Sequence, residues 1–147
     1  MRIVLFVFIL GMYSSIGQNI DYNTKKGFIV EGYDVVAYFN NEAIEGNKNF
    51  KTTFNNVNYK FVSQKNLDIF NANSKKYVPQ YGGYCAYAVA VKAKKVSTDP
   101  ETFEIRDGKL YLFYNSWGLN KLNAWLKEDV KLLQGKADKN WEALKYK

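Results

Sequence analysis

The sequence predicts a small α+β domain, with two β-hairpins forming an antiparallel sheet that packs against several helices and a C-terminal amphipathic helix. Three observations carry that expectation. Phe50-Lys51-Thr52-Thr53-Phe54 and Val57-Asn58-Tyr59-Lys60-Phe61 alternate in period two on either side of Asn55-Asn56, and asparagine tolerates the positive φ of a two-residue hairpin turn. Phe103-Glu104-Ile105-Arg106 and Lys109-Leu110-Tyr111-Leu112-Phe113-Tyr114 flank Asp107-Gly108, a strong short-range hairpin signal. Apolar residues at Leu119, Leu122, Leu126, Val130, Leu133, Ala137, Trp141 and Leu144 recur at steps of three and four, the spacing of a helix that buries one face.

In chain order, Met1-Arg2 and the apolar run Ile3–Leu10 lead to Ser15 and Gly17. One positive charge, a short apolar run and small residues are the parts of a secretory signal peptide, so residues 1–17 are expected to be removed after Gly17. The alternatives are an uncleaved anchor or a buried segment. Spanning a bilayer takes about 20 apolar residues, and here the run gives way early to Ser14-Ser15 and Gln18-Asn19. Residues 18–147 then form one exported domain, periplasmic or extracellular, with no integral membrane span after the signal is removed.

Two β-rich pieces flank Gly32 between Phe28 and Phe39, which suits a bend. Asp34 follows it, placed either to fix the turn through backbone amides or to meet a ligand. After a polar connection from Asn40 to Lys48 and the first hairpin, Ser63 is placed to cap a short helix carrying Asn66, Leu67 and Phe70. That unit ends at Tyr77-Val78-Pro79, because the residue before proline is driven from helical angles. Asp99-Pro100 is expected to start a turn ahead of the second hairpin. In the C-terminal stripe, Trp117 and Trp125 add bulk at the start, and Gly135 bends the helix or divides it in two.

The unusual chemistry lies in Pro79-Gln80-Tyr81-Gly82-Gly83-Tyr84-Cys85-Ala86-Tyr87-Ala88-Val89-Ala90. The chain has one cysteine and no histidine, which removes an internal disulfide, a Cys-His pair and the commonest transition-metal ligand. A helix beginning near Gly83 would place Cys85 in its first turn, where a thiolate is stabilised. The other reading is a buried cysteine acting as a small hydrophobe. No Cys-x-x-Cys, His-Glu-x-x-His or phosphate loop is present. Tyrosines crowd the predicted elements, and buried hydroxyls need partners, so several are expected to converge on one polar spot. The candidate ligand set is Cys85, Tyr84, Tyr81, Tyr87, Asp34 and Tyr38, with Cys85 as the candidate metal position. The net charge of +7, with Lys92, Lys94 and Lys95 close together, suits a solvated surface or contact with anionic lipid or cell-wall polymers. Nucleic acid is not an expected partner of an exported chain.

Three stretches resemble the YHS-domain family, in its exported single-domain group: Gly32-Tyr33-Asp34-Val35-Val36-Ala37-Tyr38-Phe39, Tyr59-Lys60-Phe61-Val62-Ser63 with Asn66 and Phe70, and Lys76-Tyr77-Val78-Pro79-Gln80-Tyr81-Gly82-Gly83-Tyr84-Cys85-Ala86. Asp99-Pro100, Phe103, Asp107-Gly108-Lys109-Leu110-Tyr111-Leu112 and Trp141 extend the likeness over nearly all of residues 18–147. The resemblance implies a small α+β domain and a link to metal handling, copper above all. Metal-binding relatives carry Phe-Cys-Ser-x-x-Cys where this chain has Phe61-Val62-Ser63 and Asn66, so Cys85 is left as the one thiol. The expected function is non-enzymatic binding of a small ligand or a copper-type or other transition-metal ion near Cys85. Two alternatives stand beside it: a thiol redox or oxidant-responsive protein using Cys85, and a structural module docking onto an envelope protein.

Overall fold

Residues 17–147 are described by the computed structural model; the expected signal segment, Gly17 apart, lies outside them. In chain order the elements are β1 (Thr24–Lys25), β2 (Phe28–Ile29), β3 (Asn47–Phe54), β4 (Val57–Phe61), α1 (Gln64–Ala72), α2 (Ser74–Tyr77), α3 (Ala86–Lys92), β5 (Asp99–Arg106), β6 (Lys109–Phe113), β7 (Asn115–Ser116), β8 (Leu119–Asn120), α4 (Lys121–Leu126) and α5 (Val130–Leu144). The α+β class is as the sequence predicts. Among the described residues, no helix is long and apolar enough to cross a membrane.

Four antiparallel pairs close through two-residue turns: Lys26-Gly27, Asn55-Asn56, Asp107-Gly108 and Trp117-Gly118. All eight of these residues have positive φ, between 50° and 83°. That geometry matches the right-handed twist of the flanking strands, which is why Asn-Asn and Asp-Gly were readable as turns.

The strands do not form the single antiparallel sheet that was expected. One sheet runs β1-β2-β4-β3, with β2 and β4 parallel, while β5-β6 and β7-β8 are separate ladders. The reason lies in β6. Its Leu110 and Leu112 enter a core with Ile29, Val35, Tyr38, Tyr59, Phe61 and Phe70. Its Tyr111 and Phe113 enter another with Cys85, Val89, Trp125, Leu133 and Ala137. Side chains alternate across a strand, so an uninterrupted apolar run buries both faces, and β6 stands between two cores instead of extending one sheet.

Some local expectations of the first half hold and others do not: the extended piece expected after Gly32 is instead a 3-10 turn at Ala37–Asn40, and only Phe28–Ile29 ahead of Gly32 is a strand. Ser63 Oγ accepts from Asn66 N at 3.2 Å and caps α1. Val78 is extended (φ −65°, ψ 125°) and ends α2 ahead of Pro79. Asp99-Pro100 opens β5 itself: the Asp99 carboxylate accepts from Glu101 N and Thr102 Oγ1 where the ladder shifts register, so the expected turn is an irregularity within the strand.

Three expectations for the second half are corrected. The helical stripe is divided at Lys127–Asp129, where Asp129 accepts from Leu132 N and caps α5; Gly135 is interior to α5, with open space where a Cβ would stand. Trp117 adds no bulk to the core, because it sits at the β7–β8 turn and is 93% exposed. Leu119 belongs to β8, and both Leu119 and Leu126 are exposed.

Candidate functional site

The central stretch turns three times in succession in the left-handed region: Tyr81 at φ 53°, Gly82 at 61° and Gly83 at 80°. Glycine enters that region without steric cost, whereas tyrosine is strained there. The surrounding structure determines the conformation. Asn23 N donates to Gly82 O at 2.8 Å, and Asn23 Nδ2 and Thr98 Oγ1 both donate to Gly83 O. A Cβ on Gly82 would lie 2.8 Å from Asp21 O and 3.0 Å from the Trp141 ring. The N-terminal strap Asp21–Asn23 and α5 therefore clamp the turn from two sides.

This arrangement builds a cleft of about 420 Å³ with Pro79, Gln80, Tyr81 and Gly82 along one wall. Trp141 and Tyr22 supply aromatic surface, Asp138 and Glu142 are carboxylates one helical turn apart on α5, and Lys75 and Lys109 bring positive charge. The size lies within the range of about 300–1,000 Å³ usual for small-molecule sites. Tyr81 donates its hydroxyl to Asp138 Oδ1 at 2.8 Å. Burial, then that hydrogen bond to a carboxylate, pushes its phenol far up, so the hydroxyl stays protonated and the bond is kept through neutral pH. Tyr84 also packs against Trp141, with ring centroids 6.3 Å apart, and donates to Asp21 Oδ2 at 2.9 Å. Lys95 joins the same carboxylate at 2.8 Å. Chemically, the cleft offers an aromatic wall between fixed charges of both signs, which suits a small polar ligand carrying its own charges.

The six candidate residues do not come together. Tyr81 lines the cleft and Tyr84 braces Trp141. Tyr87 lies at a separate groove and donates to Glu128 at 2.7 Å. Tyr38 donates to Pro100 O at 2.6 Å in the other core, with its ring edge-on to Phe103. Asp34 is completely buried, and its two oxygens accept from Val36 N, Ala37 N, Val62 N and Asn66 Nδ2. Four donors leave that carboxylate committed to the fold, so the turn-fixing role is the one realised. The tyrosine hydroxyls go to separate partners instead of one polar spot, and Tyr59, buried beside Phe70, has none among the described residues.

Cys85 is also corrected. It precedes α3 instead of lying in its first turn, with its N–H donating to Val96 O and its carbonyl accepting from Val89 N. Its side chain is fully buried in the core that holds Tyr111, Phe113 and Trp125, and its backbone bridges to Leu112 of β6. Burial pushes the thiol up, and backbone hydrogen bonds from Tyr114, Ala88 and Tyr87 offset only part of that. A buried, protonated thiol in an apolar cluster does not fit a copper-type ion, which needs a thiolate and further ligands. Among the described residues, no three or more His, Cys, Asp or Glu side chains gather as a metal cage.

The cleft residues that sequence reasoning passed over are Asp138, Trp141 and Glu142, together with the N-terminal strap. A signal was present, since two carboxylates flank the tryptophan at helical spacing, but the stripe around them reads as core. Comparison with family models, curated proteins and solved structures gives no match.

Proposed function

We propose that this chain is an exported, non-enzymatic binding module of the YHS type, and that it holds a small charged or zwitterionic ligand in the cleft beside Tyr81. The observation that carries this reading is the cleft wall itself. The residues on which the family resemblance rests most heavily, Val78 through Gly82, line the cleft and hold Tyr81 in a strained backbone conformation. Strain maintained by surrounding structure concentrates at ligand sites. The resemblance and the signal-like N-terminus support the family and the address. The proposed binding site moves from Cys85 to the cleft lined by Val78 through Gly82, within the same central stretch. The thiol redox alternative needs reagent access that the burial of Cys85 denies.

Thermal unfolding of the wild type with a panel of amino acids, small quaternary amines and polyamines tests the proposal, beside Glu142→Gln and Lys75→Gln. A ligand at 100 times its Kd stabilises a protein by about 2.7 kcal/mol. At least one chemical class is expected to raise the Tm of the wild type and to lose that effect in one of the variants. Absence of any shift across the panel, or equal shifts in all three proteins, would overturn it.

A further inference from the structure

We propose that the β7–β8 hairpin is a membrane-docking tip, which places Trp117 in the headgroup region of an anionic bilayer while the neighbouring lysines meet the lipid phosphates. The molecule contains its own control for the tip. At its four two-residue turns the first position is Lys26, Asn55, Asp107 or Trp117, and all four have φ between 50° and 53°. Asparagine and aspartate enter the left-handed region readily; Lys26 shares the strain but carries a charged side chain at home in water, whereas Trp117 sets a bulky aromatic there. A tryptophan strained at a turn would ordinarily be held there by packing. Trp117 is 93% exposed, whereas Trp125 is buried and Trp141 packs on Tyr81 and Tyr84. A local rule broken without compensation inside the chain points to a contact outside it.

The surroundings choose the occupant. Leu119, on the same hairpin, is 53% exposed and lines a groove of about 230 Å³ with Tyr87, Lys92 and Lys121. Lys121 Nζ lies 5.5 Å over the Tyr87 ring. The segments on either side are free of acidic residues, from Ile69 to Thr98 and from Gly108 to Lys127. Among the described residues, Lys92, Lys94, Lys121 and Lys127 form no ion pair. Two carboxylates approach from packed elements: Glu128 accepts from the Tyr87 hydroxyl, and Asp99 accepts from Thr102 Oγ1, which in turn accepts from Asn115 Nδ2 of β7. An amphipathic indole beside an aliphatic side chain and unpaired lysines matches the interface of an anionic bilayer. A second copy of the chain would set lysines against lysines, which disfavours association. Single-stranded nucleic acid is gripped by successive stacking platforms, and this hairpin presents one.

The full chain is compared with Trp117→Asn, chosen because asparagine accepts the turn geometry; near-ultraviolet circular dichroism checks that both are folded. Tryptophan emission is followed with phosphatidylcholine vesicles, with phosphatidylglycerol-containing vesicles, and with brominated acyl chains as quenchers. The N-terminal apolar run is common to both proteins and cancels in the difference between them. The Trp117 component is expected to shift to the blue and to be quenched on anionic vesicles, less so at high salt. Lys92→Gln and Lys121→Gln should each weaken the response on the order of fivefold, the worth of one surface lysine. The proposal is overturned if the Trp117 component ignores anionic vesicles, or responds equally to phosphatidylcholine alone. A response that develops with protein concentration without lipid, or with an oligonucleotide and not with vesicles, overturns it as well.

Discussion

Replacing Asp34 separates a carboxylate that holds the fold from one that meets a ligand. Its Oδ1 accepts from Val36 N at 2.8 Å and Ala37 N at 3.2 Å, and its Oδ2 from Val62 N at 2.9 Å and Asn66 Nδ2 at 2.7 Å. Asparagine keeps one acceptor oxygen, which faces the buried Val36 and Ala37 amides, and turns an NH₂ toward the other two donors. A stranded buried donor costs about 1–3 kcal/mol. Asn66 can reverse its own amide and accept from the new NH₂, so Val62 N–H is the principal loss. Asp34→Asn is therefore expected to destabilise by about 1–3 kcal/mol. Asp34→Ala strands all four donors and is expected to cost about 3–6 kcal/mol, allowing for partial relaxation toward water. For a domain of this size each kcal/mol moves Tm by about 2–4 °C, so the alanine variant should melt more than about 6 °C below the wild type. Urea and thermal unfolding followed by circular dichroism measure both, with the urea m value checked for constancy. Variants within about 0.5 kcal/mol of the wild type, the ordinary scatter of surface substitutions, would refute the reasoning.

Two further outcomes follow from burial. Cys85 should resist alkylation by iodoacetamide in the native protein and react fully in denaturant, because its thiol is enclosed and its pKa is raised; a native rate matching that of a free thiol, or a rate midpoint below that of a free thiol, would contradict this. The tyrosines should titrate in two classes. Tyr84 is pushed up to about 12, first by burial and then by its bond to Asp21, and Tyr38, Tyr59 and Tyr81 are pushed higher, chiefly by burial. A raised folded pKa favours the native state while the phenol is neutral, so this stability is fully present below the ordinary tyrosine value of about 10. It is lost as pH climbs through about 12, where Tyr84 ionises in the native state. Absorbance at 295 nm should show Tyr84 ionising near pH 12, and Tyr38, Tyr59 and Tyr81 only with loss of native circular dichroism. One smooth transition of all twelve tyrosines near pH 10 in a folded protein would be the contrary result.

The amino-acid sequence by itself determined whatever is decided within a few residues along the chain. The Asn55-Asn56 and Asp107-Gly108 turns, the Ser63 cap, the end of α2 ahead of Pro79 and the turn at Asp34 each depend on a backbone angle or a hydrogen bond that neighbouring residues supply. Only the tertiary structure decided which apolar residues are covered. Trp117 and Trp125 look alike in the sequence, yet one tips an exposed turn and the other fills a core. The run from Leu110 to Phe113 read as one strand of a single sheet, and it became the wall between two cores. The tyrosine partners lie far away along the chain: Tyr81 meets Asp138 across 57 residues, Tyr38 meets Pro100 across 62 and Tyr84 meets Asp21 across 63. The cleft beside Tyr81 is built by the strap before β1 and by α5, near opposite ends of the described chain. Periodicity states which residues share a face, and what that face meets is set by the packing of elements distant in the chain.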